Sequence, residues 1–275
     1  MTPTPCRVHI LLARKAKTAV AIRRGPSKRV CTVAWDRRTD RFQTGQWLKG
    51  RIYERRSDLS PDGKHWIYFA LNGRWRSPTK GSWTAVSRAP YLKALGLWAN
   101  GSAWNGGGLF TDRRTYWLNV PREGHEERLR PRALREFKRA PFPDVFGGEC
   151  PGVYYLRLQR DGWRLANHRR TGRHGITTFE KPVPGGWILV KSAHATIDHP
   201  PGKGVYHDTH ALRRADGNAR LDCPGWEWAD LDGKRLVWVE AGILRAARLA
   251  RGGIENEKIL FDFNPLEFEE IEAPY

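Results

Sequence analysis

An all-β fold, a five-bladed β-propeller of four-stranded blades, is predicted by three features of this 275-residue sequence. Hairpin-like units recur, with turns near residues 15, 62, 112, 185 and 232, at spacings of 47, 50, 73 and 47. Three of the four spacings match a blade of roughly 40–50 residues. The composition favours strands, with 13 Trp against a single Met. The turns carry Pro-Asp-Gly, Pro-Gly-Gly and Asp-Gly between apolar runs, residue types suited to tight reversals. A six-bladed closure is the main alternative, and an open β-sandwich explains the period less well.

The elements follow in order. Val8–Leu12 leads into Thr18–Ile22 as a first hairpin. Arg29–Asp36, a polar turn and Arg41–Leu48 form the next. Arg55–Ser60, the Pro61-Asp62-Gly63 turn and Lys64–Ala70 read again as strand, tight turn, strand. Gly108–Asp112 leads into Thr115–Leu118, Phe179–Gly186 into Trp187–Val190, and Trp226–Gly233 into Lys234–Glu240. Second hairpins alternate with these at 30–48, 82–98, 153–166, 204–221 and 243–263. Asp161-Gly162 and Asp216-Gly217 mark two of their turns. The long spacing is explained by an insert at 121–150 within the third blade. There a short helix is expected to open at Pro131 and stop at Pro141, with Leu134 and Phe137 as its apolar edge. The whole chain, 1–275, is expected to be one domain.

The succession from Arg29 to Ala70 resembles the WD-repeat and TolB-like propellers. In those proteins a strand ending in Trp-Asp, here Trp35-Asp36, passes through a hairpin to the next blade with its Ser-Pro-Asp-Gly, here Ser60–Gly63. The resemblance covers this stretch well and the rest loosely. It implies a rigid body with variable loops, and it names no activity.

Lys and Arg number 48 against 29 Asp and Glu, a net charge of +19. The tail Glu267, Glu269, Glu270 and Glu272 holds acid without compensating base, so the remaining body is more basic still. Such a surface is either a solvated basic exterior or a binding face for an anionic partner. The four cysteines form no C-x-x-C pair, so a thiolate zinc site is not expected, and Cys31 reads as a buried thiol. The apolar run Val8–Ala13 is broken by Arg14, Lys15 and Lys17, too early for a signal segment or a membrane span. A cytoplasmic protein is the expectation.

Three sets of side chains are candidate sites. The stretch holding His194, Asp198, His199, His207 and His210 offers imidazole and carboxylate to a divalent metal. His207 and His210 are three apart and point to opposite faces if the backbone is a strand. The competing reading is a polar loop, and no cofactor is otherwise expected. The second set lines the expected central channel: Glu54, Arg56, Asp58, Trp104, Glu180, Glu227 and Asp230, with Arg55 beside them. Paired carboxylates about 5–10 Å apart would suit glycoside hydrolysis.

The third set is basic: Arg23, Arg24, Arg37, Arg38, Arg55, Arg56, then Arg128, Arg130, Arg132, Arg135, Lys138 and Arg139 of the insert, and Arg169, Arg170 and Arg173. Most fall at loops or strand ends, where a scaffold presents its binding faces. Arg74-Trp75-Arg76 places one aromatic directly between two guanidiniums, an arrangement that can stack on bases or simply pack on a blade edge. Asn105–Gly108 is glycine-rich, but no helix follows it, so close backbone approach explains it better than a phosphate cradle. There is no G-x-S-x-G, Walker A or H-E-x-x-H motif. The expected function is a non-catalytic scaffold for a protein or other anionic partner. A nucleic-acid-binding accessory protein and a glycosidase-like enzyme are the alternatives.

Overall fold

The computed structural model describes residues 4–25, 28–120, 125–140, 146, 149–172 and 174–275. Over these residues the protein is mostly β, with one short helix and five sheets of three to six strands, antiparallel but for one short parallel pairing. The chain divides into two compact units. One comprises His9–Arg157 with Leu266–Tyr275, and the other Leu158–Pro265 with residues 4–8.

The first unit holds three sheets in chain order. The first sheet is a meander of β1 (Arg7–Leu12), β2 (Thr18–Arg24), β3 (Arg29–Asp36) and β4 (Arg41–Lys49). Burial falls across it. The apolar β2 is buried at five consecutive positions, whereas the polar β4 is mostly exposed or half-buried. A continuous apolar run needs cover on both faces, and a polar alternating strand suits a sheet edge. The second sheet comprises β5 (Arg51–Ile52), β6 (Asp58–Leu59), β7 (His65–Leu71), β8 (Ser82–Arg88) and β9 (Ala94–Ala99). Between β6 and β7, Asp62 accepts from Ser60 Oγ at 2.7 Å and from the Lys64 amide at 3.2 Å. Gly63 there has φ +71°, and a Cβ would sit 1.9 Å from Thr18 Oγ1, so only glycine fits. The third sheet is built on the hairpin β10 (Gly108–Phe110) and β11 (Thr115–Leu118).

Apolar faces join these sheets. Leu11, Val20, Ile22 and Val30 pack with Ile52, Leu59, Trp66 and Tyr68. Ile67, Val86 and Trp98 pack with Phe110, Tyr116 and Leu118.

The insert corrects the sequence reading. No helix spans Pro131 to residue 140; β12 (Glu126–Leu129) and β13 (Arg135–Glu136) stand in this region instead. β12 adds to β9 of the second sheet, and β13 adds to β11 of the third in the parallel sense. Pro131 is buried against Gly96, where a Cβ would meet its ring at 2.7 Å, so packing rather than helix initiation uses this proline. Leu134 packs on the Phe110–Tyr116 cluster while Phe137 stays exposed. The expected stop at Pro141 lies outside the described residues.

A second correction concerns 153–166. It is no hairpin: α1 (Pro151–Arg160) precedes β14 (Arg164–Thr171). Val153 and Leu156 of the helix pack on Leu109. Asp161-Gly162 ends the helix rather than turning a hairpin. Gly162 takes φ +88°, its amide donates to Gln159 O at 3.1 Å and the Trp163 amide to Leu158 O at 2.9 Å. That is the Schellman arrangement, which asks for glycine for the same left-handed reason a hairpin does.

The second unit holds two sheets. The fourth runs β14, β15 (His174–Val183), β16 (Trp187–Thr196), β17 (Tyr206–Arg214) and β18 (Arg220–Cys223), and its β14 is the strand beyond the expected four. The fifth is a meander of β19 (Trp226–Asp232), β20 (Arg235–Glu240), β21 (Ile243–Ala250) and β22 (Gly253–Asp262). Here too burial falls from the apolar β20 to the exposed β22. Trp226 and Trp238 stack at 4.9 Å, and Trp187 Nε1 donates to Ala250 O at 2.9 Å. All four cysteines are buried thiols, and burial pushes Cys31 up to about 12 even against the nearby Arg23. Among the described residues no helix is long and apolar enough to cross a membrane, which leaves β-barrels untouched.

Candidate binding surface

Apart from Trp104, which is exposed, the channel set of the first unit is consumed internally. A 3₁₀ turn over Glu54–Arg56 buries both arginines. Arg56 is 2% exposed. It donates to Ala103 O at 2.7 Å, to Asn105 O at 2.5 Å and to Cys150 Sγ at 3.3 Å, and it pairs with Glu149. Its guanidinium also lies 4.7 Å from the Tyr53 ring and 4.9 Å from that of Phe69. The glycine run explains how it fits. Gly106 and Gly107 have φ +84° and +76°, and a Cβ on Gly107 would stand 1.9 Å from Arg56 O. Close approach, not phosphate binding, is what these glycines provide.

Arg55 lies over Tyr154 at 4.6 Å, and Asp58 accepts from the Phe110 amide at 2.7 Å. Glu54 pairs with Arg24 at 3.3 Å. Burial pushes its carboxyl up, but Arg24, Arg51 and His9 outweigh that and bring it down to about 2. A glycosidase acid needs the opposite displacement. His9, missed in the sequence, accepts through Nε2 from buried Arg157 at 2.9 Å, and Arg157 also donates to Glu54 O at 3.0 Å.

The carboxylates of the second unit are paired in the same way. Glu180 sits between Arg164 and Arg213, the latter at 2.8 Å. Asp230 accepts from Lys181 at 2.6 Å and from Trp163 Nε1 at 3.3 Å. Glu227 accepts from the Val8 amide at 3.2 Å.

The histidine stretch does not converge. His194 and His207 are cross-strand partners and stack at 4.4 Å with planes 3° apart. Parallel rings aim their nitrogens in parallel rather than at one ion. His210 is on the buried face of the same sheet, with Nε2 2.9 Å from Lys191 Nζ and Nδ1 3.0 Å from Trp226 O. Asp198 is exposed and lies 3.5 Å from His174, and His199 contacts its own turn at Pro200 O. Among the described residues no group of three or more His, Cys, Asp or Glu is placed to hold a metal.

The basic set divides. Arg37 is structural, donating to Ala13 O at 2.9 Å and Ala16 O at 2.5 Å. Arg128 pairs with Glu126 at 2.8 Å and Arg130 with Glu127 at 3.0 Å, while Arg132 is exposed. Arg169 and Arg170 are exposed on the edge strand β14, and Arg173 lies outside the described residues.

Two adjacent loops of the first unit do converge. The loop 72–81 joins β7 to β8, and the loop 100–107 follows β9. Ser82 Oγ donates to Ser102 O at 2.7 Å, and a Cβ on Gly101 would touch Lys80 at 3.6 Å. Each loop fixes itself. The Asn72 and Gly73 amides both donate to Gly81 O, at 3.0 and 3.1 Å, and Asn100 Nδ2 caps Trp104 O at 2.9 Å. Trp75 is 52% exposed and Trp104 69% exposed, the largest apolar side chains so displayed. One face of Trp75 lies on Gly81, where a Cβ would be 2.5 Å from Cε3. Arg74, Arg76 and Lys80 are exposed around it, and neither Arg74 nor Arg76 has an ion pair among the described residues. The surface is therefore aromatic, cationic and held by short-range hydrogen bonds. No family model, curated protein or solved structure matches this chain.

Proposed function

We propose that this chain is a five-bladed β-propeller acting as a non-catalytic binding scaffold for an anionic partner, foremost an acidic protein. The propeller reading is supported by five successive sheets, meanders in the main, and by burial that falls from inner to outer strand in the first and fifth. Sheets that bury both faces of their early strands need neighbours on either side, as radial blades supply. The resemblance of Arg29–Ala70 to WD-repeat and TolB-like proteins points the same way.

One observation carries the function. The buried arginines and carboxylates neutralise one another inside the protein, and Lys80 is paired with Glu126 at 2.9 Å, whereas Arg74, Trp75, Arg76 and Trp104 are displayed outward on two fixed loops. Exposed Trp and Arg are the residue types that most often anchor an interface. Arg forks pair bidentately with carboxylates or phosphates. The same Arg-Trp-Arg order suits base stacking, so nucleic acid is the second reading.

Purification from the native cell at low and high salt, with nuclease, separates the two. A stoichiometric protein partner that survives nuclease and is lost from an Arg74→Ala/Trp75→Ala/Arg76→Ala variant supports the scaffold reading. Nucleic acid released by high salt supports the second. A partner kept equally by the variant rejects this surface.

A further inference from the structure

The acidic tail 266–275 is extended and makes no sheet pairing, yet it is tied down at intervals along the first unit. Phe268 meets the Trp47 ring edge-on at 6.2 Å and lies 5.2 Å beneath the Arg29 guanidinium. The Ile271 carbonyl accepts from Gln46 Nε2 at 2.8 Å. Tyr275 donates its hydroxyl to Lys93 O at 2.5 Å, accepts from the Arg88 amide at 3.1 Å, and sits under Arg88 at 4.8 Å. Two aromatic anchors seven residues apart, with four glutamates beside them, thus rest on Arg29, Arg88 and Lys93.

Three of the anchoring residues, Gln46, Trp47 and Lys93, also line a half-open cavity of about 280 Å³ with Leu48, Tyr68, Trp83 and Leu92. Trp47 Nε1 is buried without a hydrogen-bond partner among the described residues. A buried donor left unpaired is costly. The tail is thus anchored on three residues that also wall this cavity, while none of its own side chains lines it.

We infer that the groove is a receptor for an extended acidic segment of a partner protein, with the chain's own tail as its resident competitor. The partner segment would present aromatics spaced like Phe268 and Tyr275 and send a side chain with an acceptor atom to Trp47 Nε1. An occupant displaces the tail when its concentration relative to its own Kd exceeds the tail's local concentration, on the order of millimolar for a short tether, relative to the tail's Kd. This surface is separate from the Trp75–Trp104 loops, so either assignment can fail alone.

The test is fluorescence anisotropy with a labelled synthetic peptide of sequence 266–275. It is titrated with the wild-type chain, with a Phe268→Ala/Tyr275→Ala variant, and with Glu269→Lys/Glu270→Lys, whose exposed positions leave the core untouched. The first variant removes the tail's two anchoring rings and the second reverses part of its charge, and neither alters a residue lining the groove. With a tail at millimolar local concentration, both are expected to bind the peptide at least about tenfold more tightly than wild type. Adding Lys93→Glu to either should abolish the gain. Equal binding by wild type and a variant that melts like it, or no binding by such a variant, overturns the inference.

Discussion

Two arginine-rich segments precede and follow β7 in the sequence, and they are used in opposite ways. Arg55 and Arg56 are buried before it, with Arg56 held by backbone carbonyls, Glu149 and two aromatic rings. Arg74 and Arg76 follow it in the open, on either side of a half-exposed Trp75. The residue types are the same; the environment decides. A glycine run that admits the Arg56 backbone makes one arginine part of the core. A glycine under an indole makes the other pair a platform. Counting basic residues therefore overstates the charge available to a partner.

The contrast is broken most forcefully at Arg56. Arg56→Ala strands Glu149 and two carbonyls, and loss of one member of a buried pair costs about 3–5 kcal/mol. Denaturant unfolding should show that loss or no folded protein at all. Glu54 comes next. Its folded-state carboxyl is lowered from 4.5 to about 2, so the ionised form stabilises the fold fully above pH 4.5. That contribution disappears as pH falls from there through about 2. Glu54→Gln should thus cost on the order of 2–3 kcal/mol near neutral pH, with the gap to wild type closing across that window. Gly81→Ala is smaller. A Cβ at φ +76° pressing on Trp75 should cost about 1 kcal/mol or more in thermal unfolding, and should disturb the platform. Smallest on stability is Trp75→Ala with Arg74→Ala and Arg76→Ala, expected within about 0.5 kcal/mol of wild type.

Much of the architecture was legible because turn chemistry and strand patterning are local. Ser60–Gly63, Asp216-Gly217 and the apolar runs of β2, β7 and β20 mark their own places. The helix α1 was not legible as one. Val153, Tyr154, Tyr155 and Leu156 are buried on both sides, and a short apolar run has no period that separates helix from strand. Asp161-Gly162 then reads the same as a helix cap or a hairpin turn, since both need positive φ. The insert misled for a related reason: Pro131 packs on Gly96, a partner 35 residues away that no local signal announces. Among the candidate sites, spacing suggested that the histidines lay near one another but not that His194 and His210 face opposite sides of one sheet. The Arg-Trp-Arg triplet was visible; its neighbour Trp104 on the adjoining loop needed the fold.

The most direct measurement titrates poly-L-glutamate, and in parallel a mixed-sequence oligonucleotide, with wild type and the Arg74→Ala/Trp75→Ala/Arg76→Ala variant across a salt series. Wild type is expected to bind poly-L-glutamate more weakly as salt rises. The variant, melting as wild type does, is expected to bind at least about tenfold less well. Equal affinity of the two proteins for both polymers would contradict this expectation, and would return the exposed arginines to simple solvation.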